Sequence, residues 1–178
     1  NIGTAARAML NFELSDLRLV RPRAGWQNEK AIAAASGAKG VLSEARLFEC
    51  TEEAIADLHR VYASTGRSRD MTQQILSPAH AAQVMRVGAV SGELSGVLFG
   101  PERSGLTNED LALSDAVITV PANSYFKSLN LAMAVLLIGY VWFVHLDSIH
   151  DLDNLVMVGT RSATKSELQG FFDHLEGA

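Results

Sequence analysis

The sequence predicts one α/β domain built on a mainly parallel sheet flanked by helices. Three observations carry that prediction. Short apolar strands alternate with helix-length segments along the chain. Residues 94–99 and 116–120 read as buried strands. The length of 178 residues, with 48% hydrophobic and 20% charged residues, suits a single folded domain with an ordinary core.

The elements follow in order. Ile2, Ala5, Ala6, Met9 and Leu10 lie at helical spacing, so residues 2–12 are expected to form a helix. Residues 17–20 form a short strand that ends before Pro22. The Ala-rich segment 28–35 is helical and closed by Gly37. Residues 45–48 make a strand. Thr51 is expected to cap a helix over 51–58, with Glu52 and Glu53 favourably placed on its dipole.

A strand over 61–64 leads into a long polar loop over 65–77 that holds Gly66, Arg67 and Arg69. Pro78 sits in the first turn of a helix reaching about Arg86. The strand 94–99 comes next, and Thr107 to Asp110 resembles a capping box. The strand 116–120 is stopped by Pro121. A long helix is expected over 128–145, with Ser128 as its cap; it is apolar nearly all round and so buried on most sides. Residues 147–161 look irregular. A second capping box, Thr164 to Glu167, opens a final helix carrying Leu168, Phe171, Phe172 and Leu175 on one face. The chain opens inside a helix with no strand to feed it, which leads us to expect a strand before residue 1.

Composition narrows the function classes. Cys50 is the sole cysteine, so the chain can form neither an internal disulfide nor a cysteine metal cluster, and a reducing compartment fits. The five histidines show no metal-ligand spacing, and no metal is expected. The opening residues lack the pattern of a secretory signal. The uncharged apolar run 131–144 is short beside the roughly 20 residues of a membrane span, so no membrane is expected. Neither a dinucleotide-binding glycine motif after a strand nor a P-loop is present.

Net charge is -5, which does not advertise a nucleic-acid binder. Residues 1–70 hold 10 Lys+Arg against 9 Asp+Glu, whereas residues 71–178 hold 5 against 11. Any contact with phosphate must therefore be a local patch, expected in the first 70 residues.

Three constellations remain. Asn1, Gly3 and Arg7 stand near a helix start, readable as a cap with a surface arginine or as a site. Residues 98–105 run from a buried strand into a Gly-rich turn with a Glu102–Arg103 pair. There Gly100 would let a ligand approach the backbone, or the turn simply carries a surface ion pair. Ser128-Leu129-Asn130-Leu131 heads the apolar helix. Asn130 is either a satisfied core polar group or a ligand holder.

Together, in this order, the segments Asn1 to Arg7, 100–106 and 128–132 resemble the three motifs of the SpoU branch of the SPOUT RNA 2′-O-ribose methyltransferases. The resemblance covers about residues 1–144. The segment 64–69, with Leu76-Ser77-Pro78 after it, is similar to the group that methylates anticodon-loop pyrimidines of tRNA.

The resemblance implies a deep trefoil knot at the C-terminal end of a catalytic domain over 1–146. A linker and a short helical extension over 147–178 would follow. It implies a cytoplasmic homodimer that binds S-adenosyl-L-methionine and methylates a ribose 2′-hydroxyl of RNA, tRNA first and rRNA as the alternative. A catalytically silent RNA-binding module is the less favoured reading. The cofactor loops it implies are Ser64, Thr65 and Gly66; Gly100 and Glu102; and Val120, Lys127, Ser128 and Leu129. It implies Arg7 as the residue acting on the reacting hydroxyl, oriented with the ribose by Asn1, Glu102, Ser128 and Asn130. Arg67 and Arg69 would contact RNA phosphate.

Overall fold

In the computed structural model the strands fall into two sheets, both parallel. The structure describes residues 1–23, 25–66, 73–126, 128–145 and 162–176. In chain order these hold α1 (Ile2–Leu10), β1 (Arg18–Val20), α2 (Glu29–Ala35), α3 (Lys39–Ser43), β2 (Arg46–Phe48), α4 (Thr51–Ile55) and β3 (Arg60–Ser64). Then come β4 (Gln74–Leu76), α5 (Pro78–Val90), β5 (Ser95–Phe99), α6 (Asn108–Ala112), β6 (Ala116–Ile118), α7 (Leu131–Val144) and α8 (Lys165–Glu176). The larger sheet has the order β4-β6-β3-β5, and β1 pairs with β2 in the smaller one.

The central strands of the larger sheet, β3 and β6, are buried on both faces, as strands of parallel sheets are. Alternation divides its side chains between two cores. Tyr62, Ala116 and Ile118 pack with Leu76, Ala81, Met85 and Ile138 beneath α5 and α7. Ala63 and Val117 point the other way, onto Leu106 and Leu111 of the α6 region. Val61 joins Ile55 and Leu58 beside α4. Val61, Val117 and Ile118 have almost no exposed surface, which marks β3 and β6 as the centre of the fold.

Local chemistry explains most helix starts. Asn28 accepts the Ala31 N–H at 2.9 Å, and Ser77 accepts that of His80 at 3.2 Å with Pro78 next in line. Thr107 and Asp110 form a reciprocal capping box. At α8, Thr164 donates its N–H to Glu167 at 2.8 Å while Glu167 returns its own N–H to the Thr164 hydroxyl at 3.3 Å.

Several expectations are corrected. Cys50 takes the cap position of α4, and the Thr51 hydroxyl instead donates to Asp110 at 2.7 Å. The loop over 65–77 contains β4, which exists only through its pairing with β6, Gln74 opposite Ala116. Helix α5 runs on to Val90, and α3 was not foreseen. Helix α7 starts at Leu131 with Asn130 as its cap, so Ser128 lies outside it. That helix is not buried on most sides: Met133, Leu136, Leu137, Tyr140 and Val144 form an exposed apolar stripe. The apolar face of α8 is also open, with Phe171, Phe172 and Leu175 exposed. The irregular stretch expected over 147–161 lies outside the described residues. No helix among the described residues is long and apolar enough to cross a membrane.

Helix α7 is fixed against its neighbours along its length. It packs on α1 and α5. Phe12 meets Tyr140 and Phe143, each with ring centroids 5.9 Å apart. At its far end Arg86, 9% exposed, donates from Nε and Nη2 to the Trp142 carbonyl at 3.1 and 2.8 Å. The same guanidinium lies 3.3 Å from the centroid of the Trp142 ring. Burial pushes the Arg86 guanidinium below the usual arginine range.

Candidate active site

Parallel pairing brings three strand ends together. Ser64, the last residue of β3, stands opposite Phe99 of β5 on one side and Ile118 of β6 on the other. The segments that leave these strands, from Thr65, Gly100 and Thr119, therefore emerge along one edge of the sheet. In open α/β sheets that edge is where ligands bind.

The segment after β5 closes tightly on itself. Gly105 donates its N–H to the Pro101 carbonyl at 2.7 Å and has φ +70°. A Cβ on Gly100 would lie 2.2 Å from backbone atoms of Gly105 and Leu106. The turn itself therefore requires glycine at position 100. Leu106 anchors the turn in the core. Just beyond it, burial would raise the Asp110 carboxyl, but hydrogen bonds from Thr51 and Thr107 hold it below the usual carboxylate range.

The turn presents Glu102 to the start of α7. One carboxylate oxygen of Glu102 accepts the Asn130 side-chain N–H at 2.7 Å and the Leu131 backbone N–H at 3.3 Å. The Asn130 side-chain oxygen accepts the Ala132 N–H at 3.0 Å. Asn130 is exposed rather than buried, which corrects the packing puzzle posed by the sequence. Its side-chain nitrogen ties the third motif to the second, while its oxygen caps α7. A carboxylate at a helix N-terminus also complements the dipole.

The first motif joins through packing. Ala5 and Ala8 of α1 form one cluster with Val135, flanked by Phe99 and Leu131. A single apolar contact therefore touches all three motif regions. Gly3 makes a different contribution. A Cβ there would lie 2.0 Å from the Ala31 carbonyl oxygen, so Gly3 permits the close crossing of α1 and α2. Arg7 is exposed, and its side chain has no hydrogen-bond or ion-pair partner among the described residues. Asn1 is exposed too. It precedes α1 without a side-chain capping bond, although its carbonyl accepts the Ala5 N–H at 2.8 Å.

Of the expected cofactor residues, Ser64, Thr65, Val120 and Leu129 are half-buried and Gly66 and Ser128 exposed. The Thr65 N–H donates to the Ile118 carbonyl at 3.2 Å, and Thr119 Oγ1 donates to the Thr65 carbonyl at 3.4 Å. Lys127, Arg67 and Arg69 lie outside the described residues. Sequence reasoning passed over Tyr125 and Phe126, two neighbouring aromatics in the segment between β6 and α7. The signal was a ring pair set in a polar loop. Among the described residues no group of three or more His, Cys, Asp and Glu could hold a metal ion.

Comparison with known proteins agrees with this arrangement. The sequence pattern described as the SpoU rRNA Methylase family matches residues 1–140. The tRNA (cytidine/uridine/adenosine-2'-O-)-methyltransferase TrmJ of Pseudomonas aeruginosa is 34% identical over 184 aligned residues, spanning 99% of this chain and 71% of its own length. The crystal structure of TrmJ from Z. mobilis superposes with a TM-score of 0.83 at 46% identity, covering 99% of this chain and 72% of that one. A structure described as giving insight into the 2-OH methylation of C/U34 on tRNA has a TM-score of 0.59 at 25% identity, covering 83% of this chain and 88% of that one. The three motifs, the hydrogen bond and apolar packing that link them and these likenesses lead to one conclusion: the chain belongs to the SpoU methylase family.

Proposed function

We propose that the chain is an S-adenosyl-L-methionine-dependent enzyme that methylates a ribose 2′-hydroxyl of tRNA, at a pyrimidine of the anticodon loop. The observation that carries this reading is the Glu102–Asn130 bond, which joins two motifs above a cluster shared with the third. The names of the relatives support the choice of tRNA.

The residues present fit the cofactor. Half-buried Val120 and Leu129 offer an apolar flank for a flat base, while Glu102 supplies a carboxylate suited to hydroxyl groups or a cationic centre. When bound, the cofactor would supply an electrophilic methyl on a sulfonium. Ser64, Thr65, Gly66, Gly100 and Glu102 would hold it from two loops. Val120, Lys127, Ser128 and Leu129 would hold it from the third.

The protein's task is then to place the ribose oxygen in line and to exclude water. The Arg7 side chain, unpaired among the described residues, would meet the RNA. An arginine guanidinium stays charged, so its fitting role is to bind the neighbouring phosphate and stabilise the developing alkoxide rather than to remove a proton. Asn1, Ser128, Asn130 and Glu102 would orient that pair, and Arg67 and Arg69 would add phosphate contacts.

Residues 1–146 would form the catalytic domain, closed by a deep trefoil knot, with 147–178 as linker and terminal helix. Support for the knot lies in the motif pattern and in the match to the SpoU rRNA Methylase family over residues 1–140. The exposed stripe on α7 supports a homodimer, because five apolar side chains at helical spacing want cover. A tRNA substrate supports a cytoplasmic enzyme.

Mass-spectrometric mapping of ribose methylation in tRNA incubated with enzyme and cofactor tests the reading. A 2′-O-methyl group at one anticodon-loop pyrimidine is the expected result. Modification of rRNA transcripts in its place would move the substrate to the alternative, and no transfer to either RNA would leave a silent module.

A further inference from the structure

Tyr125 and Phe126 are 96% and 76% exposed. Two adjacent rings left open to water stand out from single exposed apolar residues, which are common. Their backbone has a fixed shape. The Asn123 side-chain oxygen accepts the Tyr125 N–H at 2.9 Å, and the Asn123 carbonyl accepts the Phe126 N–H at 2.9 Å. The turn stands at the C-terminal edge of the sheet, a few residues before Asn130 and its bond to Glu102.

We propose that Tyr125 and Phe126 form a stacking platform for unpaired bases of the RNA substrate. The inference rests on reading the chain as an RNA ribose methyltransferase. To present a loop ribose to a site on a sheet edge, the RNA must unstack at least one base. Proteins hold such bases on aromatic faces.

Charge offers little hold on RNA here. Residues 71–178 carry 5 Lys+Arg against 11 Asp+Glu, so this part of the chain has little phosphate attraction to offer. Stacking needs no charge. The rings lie outside α7, whose apolar stripe begins at Met133.

The test uses the full chain and a fluorescently labelled anticodon stem-loop, with affinity read by anisotropy. Tyr125→Ala and Phe126→Ala are each expected to weaken binding about 10-fold, the equivalent of about 1.4 kcal/mol of stacking. Tyr125→Leu and Phe126→Leu should lose as much, whereas Tyr125→Trp and Phe126→Trp should keep wild-type affinity. The slope of log Kd against log salt should not change, because no phosphate contact is lost.

Wild-type affinity in the leucine variants overturns the platform. So does a loss of S-adenosylhomocysteine affinity by calorimetry, which assigns the rings to the cofactor. A fall in mass by light scattering likewise overturns it and assigns them to a contact between copies. Failure of the methyltransferase reading looks different: ring-dependent RNA binding would persist with no methyl transfer to tRNA.

Discussion

The side-chain amide of Asn130 bridges two motifs: its nitrogen donates to Glu102 at 2.7 Å while its oxygen caps α7 through Ala132 at 3.0 Å. Asn130→Ala removes both bonds. We expect about 1–2 kcal/mol of lost stability, the sum of a cap and an exposed hydrogen bond to a carboxylate. Methyl transfer should fall roughly 100-fold in kcat/KM. Glu102→Gln keeps an acceptor for Asn130 but drops the charge, so its loss should be smaller than that of Glu102→Ala. Thermal melts with single-turnover methylation measure both, and equal losses in the two Glu102 variants would show that the bond itself is unimportant.

Arg7→Ala should separate chemistry from folding. The side chain is exposed and unpaired among the described residues, so stability should move by no more than about 0.5 kcal/mol. Cofactor binding should persist by calorimetry while methyl transfer to tRNA is abolished. Near-wild-type turnover would remove Arg7 from the site.

Gly3 gives a test in which two effects oppose each other. In an open helix, Gly→Ala gains about 1 kcal/mol from propensity. Here the new Cβ would meet the Ala31 carbonyl oxygen at 2.0 Å, so α1 and α2 must part. We expect a net loss of about 1–3 kcal/mol by urea denaturation. A stabilised variant would mean that the two helices do not cross this closely.

Arg86→Met keeps much of the volume beside Trp142 but removes two hydrogen bonds and the stacked cation. Carbonyls in the last turn of a helix have no helical partner. We therefore expect roughly 2 kcal/mol of destabilisation, read from the denaturation midpoint. A neutral result would show that burying the guanidinium costs as much as its contacts return.

The exposed stripe predicts assembly. Leu137→Glu, at the middle of the stripe, should yield a monomer by light scattering with secondary structure intact by circular dichroism. A dimer of unchanged strength would move the interface elsewhere.

Much of this fold is legible in the sequence because its signals are local. Asn28, Ser77, Thr107 and Thr164 mark helix starts that depend only on their own next turn. The misses come from contacts between distant residues. Strand β4 is three residues in a polar stretch and owes its form to β6. Ser128 is as good a cap as Asn130 by local preference, but Glu102, 28 residues away, selects Asn130. Gly3 and Gly100 invite a ligand explanation in sequence, and the steric facts that explain them involve Ala31 and Gly105. The three motifs were legible in the sequence, whereas the bond that joins the second to the third was not.

Helix α7 carries almost no polar residue between its ends, so its own sequence gives little reason to prefer one rotation about its axis over another. Its orientation is set from outside. Glu102 grips the first turn through Asn130, and Arg86 grips the last through Trp142. These two polar clamps turn a rotationally degenerate apolar rod into an indexed one. The clamps at the two ends thus act with the packing of Phe12 along the helix to fix which side chains face the core and which form the open stripe.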